Sequence, residues 1–272
     1  MSQDRGKSDG TVGKALEILD LVASFGRPVR FSEVLEKASF PKATVYRFIQ
    51  TLTSQGMLSY DPDRQTYGAG IRLVRLAHCA WQQSSLAPVA RKHIEALAKD
   101  VGETVHLAQM DHAQVLYIDK IEPGRPIEMF SQAGKVGPAY CTGVGKAMMA
   151  YLDKEPLKDA LQQQSFHVFT EFTLADEAAL RAELNDIRSN GYAFDREEHE
   201  PDIICVALPI LTAKGRVLGA LSVTSSTRRT NLAALEALVP RVQAASSAIA
   251  REAESWRFPD QQTQQSVDTT KG

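Results

Sequence analysis

Residues 11–69 limit the fold most, because three helical periods are followed there by a short segment of strand period. Val12, Ala15, Leu16, Leu19 and Val22 recur at intervals of three and four, the spacing of one helix face, and Gly26 and Pro28 stop that run. Ser32 is a candidate N-cap for a second, short helix carrying Val34, Leu35 and Ala38. In FPKATVYRFIQTLTSQGML, residues 40–58, Pro41 stands where a first-turn proline is tolerated. Val45, Phe48, Ile49 and Leu52 share one face, Lys42, Thr44, Arg47 and Thr51 lie elsewhere, Tyr46 and Gln50 flank them, and Gly56 ends the helix. MLSYDPDRQTYGAG then alternates apolar and polar residues around DPDR, which reads as a hairpin. Three helices and a hairpin in about 60 residues is the order of a winged helix-turn-helix.

That order decides what the third helix is for. Its apolar face locks it onto the first two helices and leaves the polar face outward, free to approach base edges and phosphates. Thr44 and Arg47 can donate to both, Lys42 can neutralise a phosphate, and Tyr46 lies beside them; Arg64 at the hairpin tip can reach the backbone or the minor groove. Charge agrees mildly. Residues 1–75 hold 11 Lys+Arg against 8 Asp+Glu, while the rest holds 20 against 25, in a chain of net charge −2. The N-terminal part is therefore the one suited to a polyanion.

The remaining residues have a different organisation. GIRLVRLAHCAWQQSS, 70–85, reads as a helix joining the first module to the rest; its apolar residues suit either self-association or a core. From Leu86 the pattern becomes α/β. A helix ends at Gly102, a hairpin follows in ETVHLAQMDHAQVLYIDKI, and PIEMFSQ reads as a third strand. TGVGKAMMAYL is helical, and TLADEAALRAELNDIRSNGY is a helix with Thr173 as its expected capping-box residue and Gly191 as its stop. Strands follow at YAFD, IICVALPIL and RVLGALSVTS, and one long helix, bent at Pro240, closes the chain. An antiparallel sheet with helices on its faces is the expected architecture. The polar segments 1–10 and 257–272 read as mobile tails.

Three cysteines, Cys79, Cys141 and Cys205, lie far apart with no CxxC spacing, which suits a reduced compartment. No apolar run approaches the roughly 20 residues of a membrane span, and MSQDRGKSDG lacks the apolar core of a signal peptide. A cytoplasmic protein with no membrane partner is expected. Several local patterns lead nowhere. GVGKA is not a phosphate loop, since Tyr140 stands five positions before Gly145 and Ala147 follows Lys146; its glycines read instead as allowing close approach of a ligand. DREEHE, 195–200, has carboxylates and His199 but no HExxH spacing, so no metal is assigned, and no other cofactor is implied. There is no GxSxG elbow, and no catalytic residue is assigned. Cys141 at a helix start is either a reactive thiol or, like Cys205, a packing residue.

The phrases TVGKALEILDLVASFG and FPKATVYRFIQTLTSQGML, with AGKVGPAYCTGVGKAMMAYL, NGYAFDREEHEPDIICVALPI and GRVLGALSVTSSTRR after them, resemble the IclR family of bacterial transcriptional regulators over about residues 11–255. The resemblance implies a winged helix-turn-helix at 11–69, a linker helix at 70–85 and a GAF-like α/β effector domain at 86–256. It implies a homodimer or homotetramer on double-stranded operator DNA, palindromic if the protein is two-fold symmetric, with a small metabolite controlling DNA binding or transcription. The family's effector residues correspond by motif to Met129, Gly143, Val144, Asp195, Cys205, Ser222 and Thr224. Gly143 and Val144 sit at a helix N-terminus, which favours a carboxylate, and Ser222 and Thr224 share one strand face. An organic or sugar acid is the expected effector, although Asp195 would repel one unless it binds a hydroxyl. Lys135, and Asp202 where a glycine is usual, depart from the family wording near this site. The alternatives are a small α/β enzyme, or a metabolite sensor, whose N-terminal module docks on a protein.

Overall fold

A computed structural model describes residues 10–84, 86–124 and 126–254. The chain divides into two compact units between Ala80 and Trp81. Apart from Gly10, the expected tails lie outside the described residues.

The first unit contains α1 (Gly10–Ser24), β1 (Val29–Arg30), α2 (Phe31–Lys37), α3 (Lys42–Ser54), β2 (Leu58–Asp61) and β3 (Thr66–Ala69). The strands form an antiparallel sheet in the order β1-β3-β2. Ile18, Leu19 and Val22 of α1 pack with Val34, with Val45, Phe48, Ile49 and Leu52 of α3, and with Leu58 and Tyr67 of the hairpin. The stripe read from the sequence is thus only half core. Val12 and Leu16 are exposed, as are Ile71, Val74 and Leu76 of α4 (Ile71–Ser84), the helix in which the chain passes from one unit to the next. Ser32 is not the cap of α2. The cap lies two residues earlier, at Arg30, whose backbone N–H donates to Glu33 Oε2 at 2.9 Å. A carboxylate three residues into the helix does the work expected of a serine. The two-residue β1 carried no sequence signal because it is too short for a period.

The second unit contains α5 (Ala87–Val101), β4 (Thr104–Asp111), β5 (Gln114–Ile121), β6 (Val136–Pro138), α6 (Gly143–Met149), α7 (Lys154–Gln162), α8 (Glu177–Asn190), β7 (Ala193–Arg196), β8 (Ile203–Leu211), β9 (Val217–Ser226), α9 (Leu232–Glu236) and α10 (Val239–Ala253). Its six strands form one antiparallel sheet in the order β6-β5-β4-β9-β8-β7. Strand alternation divides the core between the two faces. Ile204, Val206, Leu208 and Ile210 of β8 join Val105, Leu107, Leu221 and Val223 under α5 and α10, while Cys205 and Ala207 join Ala108, Ala220 and Tyr117 under α6 and α8.

Three expectations change here. PIEMFSQ is not a strand; the third strand on that side is β6, further along. The Phe130 N–H donates to the Glu200 carboxylate at 3.0 Å, so this segment is held by a side chain rather than by a strand ladder. Thr173 does not cap α8. Asp176 does, accepting from Ala179 N at 2.8 Å, and Thr173 instead donates to the Glu198 carbonyl at 2.6 Å. The closing helix is two helices, broken at 237–238, with Pro240 in the first turn of α10, where its missing N–H costs nothing. No helix among the described residues is long and apolar enough to cross a membrane.

Candidate functional site

On α3 the buried residues are Val45, Phe48, Ile49 and Leu52. At 100° per residue, the direction opposite them is occupied by Ala43, Arg47 and Gln50, with Tyr46 beside them. Lys42, Tyr46 and Arg47 are exposed, whereas Thr44 is half-buried at the edge of the helix. Tyr46 packs edge-on against Phe31 at 5.8 Å, and the Arg47 guanidinium lies 5.2 Å from the Phe48 ring. Ala43 and Gln50, which the sequence reading did not single out, share the outward face. Arg64 at the hairpin tip has a 79% exposed side chain, and its backbone N–H donates to Asp61 Oδ1 at 3.1 Å.

In the second unit the sheet register assembles a cavity. Asp195 lies opposite Cys205 on the neighbouring strand, Cys205 opposite Thr224, and Ser222 opposite His106. The start of α6 brings Thr142, Gly143 and Val144 over this row, and the 129–131 segment brings Met129 and Ser131. All seven residues named for effector contact line one cavity. Tyr117, His199, Glu200 and Ile203 complete the lining, and the space is partly open to solvent.

The floor is a connected polar network. His106 Nε2 shares a hydrogen bond with Ser131 Oγ at 2.8 Å, its Nδ1 lies 3.2 Å from Thr224 Oγ1, and Thr224 Oγ1 lies 3.2 Å from Ser222 Oγ. Burial, helped by the Lys120 charge, pushes the His106 imidazole down to about 3, so it is neutral. One wall is a turn, 197–202, in which Glu197 and Asp202 both have left-handed φ values of 63° and 64°. That conformation suits a glycine at position 202; Asp is among the few other residues that tolerate it. Thr170 Oγ1 donates to the Glu197 carbonyl at 2.6 Å, and the Phe130 and Phe169 rings flank His199 at 5.1 and 4.8 Å.

Charge lies mostly beneath the cavity. Lys146 is fully buried; its ammonium pairs with Glu198 and, at 3.2 Å, with Glu183, which Arg196 also holds at 2.7 Å. Burial raises Glu198 against the pull of Lys146. Burial and then the Glu198 carboxylate push Asp195 up to about 7, against Lys146 and the Glu198 N–H, which donates to Asp195 Oδ1 at 2.9 Å. Burial likewise raises the Cys141 and Cys205 thiols, so neither is an activated nucleophile, and the reading of Cys141 as a reactive thiol is withdrawn. Gly145 of GVGK also has a different role from the one expected. A Cβ at Gly145 would strike Ala139, and one at Gly143 would strike Cys205 Sγ. Gly145 brings α6 close to its own entry loop, whereas Gly143 brings the helix start close to Cys205 and lines the cavity.

The raised Asp195 fixes the sign of a pH effect. The folded state holds this proton more tightly than the unfolded chain, whose carboxyl titrates near 3.8. The resulting stabilisation is complete below that value and is lost as pH rises through about 7. Asp195→Asn removes the titration. The stability of the native protein relative to this variant is therefore expected to fall from pH 5 to pH 8 in parallel chemical unfolding series. A difference that stays flat, or rises, over that range would refute the assignment.

His106 and Lys146 were not singled out from the sequence. His106 occupies the polar alternate between Val105 and Leu107, which was the available signal. Lys146 had none, since a lysine in a helix usually reads as exposed.

Known proteins resemble this chain across both units. Residues 78–251 match the family model described as the bacterial transcriptional regulator IclR C-terminal domain, and residues 11–62 match the IclR helix-turn-helix domain. The chain is 30% identical to the HTH-type transcriptional regulator XynR of Escherichia coli over 241 residues, covering 89% of this chain and 96% of that protein. It resembles the crystal structure of the Thermotoga maritima IclR with a TM-score of 0.70 at 29% identity, covering 90% of this chain and 98% of that one. It shares a fold with an IclR homolog from Microbacterium hydrocarbonoxydans complexed with 4-hydroxybenzoate, with a TM-score of 0.76 at 21% identity over 89% of this chain and 98% of that one.

Proposed function

The chain belongs to the IclR family of bacterial transcriptional regulators, with an N-terminal helix-turn-helix and a C-terminal effector domain, and on that premise we propose that a small hydroxylated organic acid, such as a sugar acid, controls its hold on operator DNA. The observation that carries this reading is the neutral polar floor of the cavity: His106, Ser131, Ser222 and Thr224 present donors and acceptors to hydroxyls, and among the described residues no lysine or arginine lines the space. The backbone at Gly143 and Val144 and a protonated Asp195 receive the carboxylate. An anion beside Asp195 favours its protonated form, so effector binding takes up a proton and weakens as pH rises above about 7. The 4-hydroxybenzoate complex is a precedent for a hydroxylated acid within this fold.

The effector acts only through its different affinity for the DNA-competent and incompetent states. A thermal-shift series on the full chain with sugar acids, aromatic acids and short carboxylates tests the pocket. A stabilising acid must also change operator affinity or transcription; one that does neither sinks the switching claim. The catalytic alternative falls with the family assignment, because the relatives are regulators.

For DNA, Lys42, Thr44, Tyr46 and Arg47 of α3 and Arg64 of the wing are the proposed contacts. Arg47 stands opposite the buried face and is the proposed reader of a base edge. Arg47→Ala is expected to cost about 1–3 kcal/mol on operator DNA and less on non-operator DNA. Equal losses on both would reduce Arg47 to a phosphate contact. The exposed apolar residues Val12, Leu16, Ile71, Val74 and Leu76 support pairing with a second copy, and a two-fold dimer would face a palindromic operator. Cytoplasmic localisation follows from this role.

A further inference from the structure

A second cavity in the effector unit lies at the other end of α6. Strand β8 runs on past β7 there: the two pair only from Ala193 opposite Ala207 to Arg196 opposite Ile204, so Pro209 and Leu211 lie beyond the ladder. Proline has no N–H to leave unpaired at such an edge. Pro209 and Leu211 form one wall, Tyr151 another, and Gln243, Ser246 and Ser247 of α10 the third, around a space that is partly open to solvent. Tyr151 is held in place: the Arg188 guanidinium lies 6.0 Å from its ring centroid, and Arg188 Nε donates to the Ala150 carbonyl at 2.7 Å. Ser246 is 2% exposed, and its Oγ has no hydrogen-bond partner. A buried hydroxyl left in that state costs free energy. Among the described residues no charged side chain lines the cavity.

We propose that this cavity is a second ligand site, for an uncharged, hydroxyl-bearing small molecule. An ion finds no countercharge there, whereas an apolar body fits between Tyr151 and Leu211 and a hydroxyl meets Ser246. The two cavities share part of their framework. Val144 of α6 and Cys205 of β8 line the first, and Tyr151, just after α6, and Pro209 of β8 line the second. A molecule that moves Tyr151 also acts on the helix whose other end carries Gly143 and Val144.

The test uses the full-length protein with phenol as the neutral probe and benzoate as its charged counterpart, followed by amide chemical shifts. Phenol is expected to shift Gly191, Leu211 and Ser246 saturably, and benzoate is not; the amides of Ser222 and Thr224 report the first cavity separately, so a failed effector assignment leaves this result readable. Ser246→Ala is expected to weaken phenol about 5-fold while raising the Tm of the free protein by about 2–4 °C, since it removes the unpaired hydroxyl. Leu211→Trp fills the space and is expected to abolish the shifts. The proposal is overturned if phenol gives no saturable shift, if benzoate shifts the same amides equally, or if Leu211→Trp leaves phenol binding intact. A change of oligomeric mass in Leu211→Trp would also overturn it, by assigning the groove to a second copy of the chain.

Discussion

Lys146→Met is expected to lower the unfolding free energy by about 3–5 kcal/mol, the usual cost of removing one partner from a buried ion pair. Methionine keeps the length and apolar stem of the lysine, so little of the loss comes from packing. What is lost is the charge that makes the Glu198 carboxylate tolerable. Glu198 is 2% exposed, burial already raises its pKa, and one of its oxygens has no partner even in the native protein. Glu183 fares better, because Arg196 still reaches it at 2.7 Å and reaches Glu198 only at 3.8 Å. The damage should therefore concentrate on Glu198, and Lys146→Met combined with Glu198→Leu should recover most of the stability, as apolar replacements of buried pairs commonly do. Urea unfolding of the two variants decides the matter. A single-variant loss below about 1 kcal/mol would show that the pair sits in a wetter environment than the geometry indicates.

Gly145→Ala should destabilise by about 1–3 kcal/mol or more, the reverse of the usual result. In an ordinary helix interior the same change gains about 0.5–1 kcal/mol, because glycine has more backbone freedom to lose on folding. At Gly145 the added Cβ meets the backbone of Ala139 and comes within 2.7 Å of Thr142 Oγ1. Backbone cannot rotate away, so α6 must lift from the loop before it. Gly143→Ala makes an informative contrast. Its Cβ meets chiefly the Cys205 side chain, inside the first cavity, so it should leave most of the stability and narrow the effector site. Thermal unfolding of both variants, with effector titration of the second, separates a packing glycine from a pocket glycine. Gly145→Ala as stable as the native protein would disprove the close approach.

The first unit was almost fully legible in the sequence. Period-three-and-four residues on α1 and α3 and alternation across β2 and β3 are local patterns, and local patterns survive without knowledge of partners. The effector strands β4, β5, β8 and β9 were legible for the same reason. Two errors fell where a distant group overrides the local pattern. PIEMFSQ alternates like a strand, but Glu200 takes the Phe130 N–H. Thr173 stands where a cap is expected, but the carbonyl of Glu198, 25 residues on, claims its hydroxyl. Helix α7 was missed, and the closing helix was read as one because the break at 237–238 has no glycine or proline of its own.

The sequence by itself determined the two-module plan, the outward polar face of α3 and, through the family resemblance, the seven residues later found around one cavity. Those properties follow from periodicity and short motifs, which are written in neighbouring residues. Only the tertiary structure decided that His106 belongs in the same network, that Lys146 is buried between carboxylates, that burial pushes Asp195 up to about 7, and that Gly145 serves packing. Each of these depends on burial and on contacts between residues tens of positions apart. Protonation state and steric fit are set by surroundings that a linear chain does not specify until strand register brings them together.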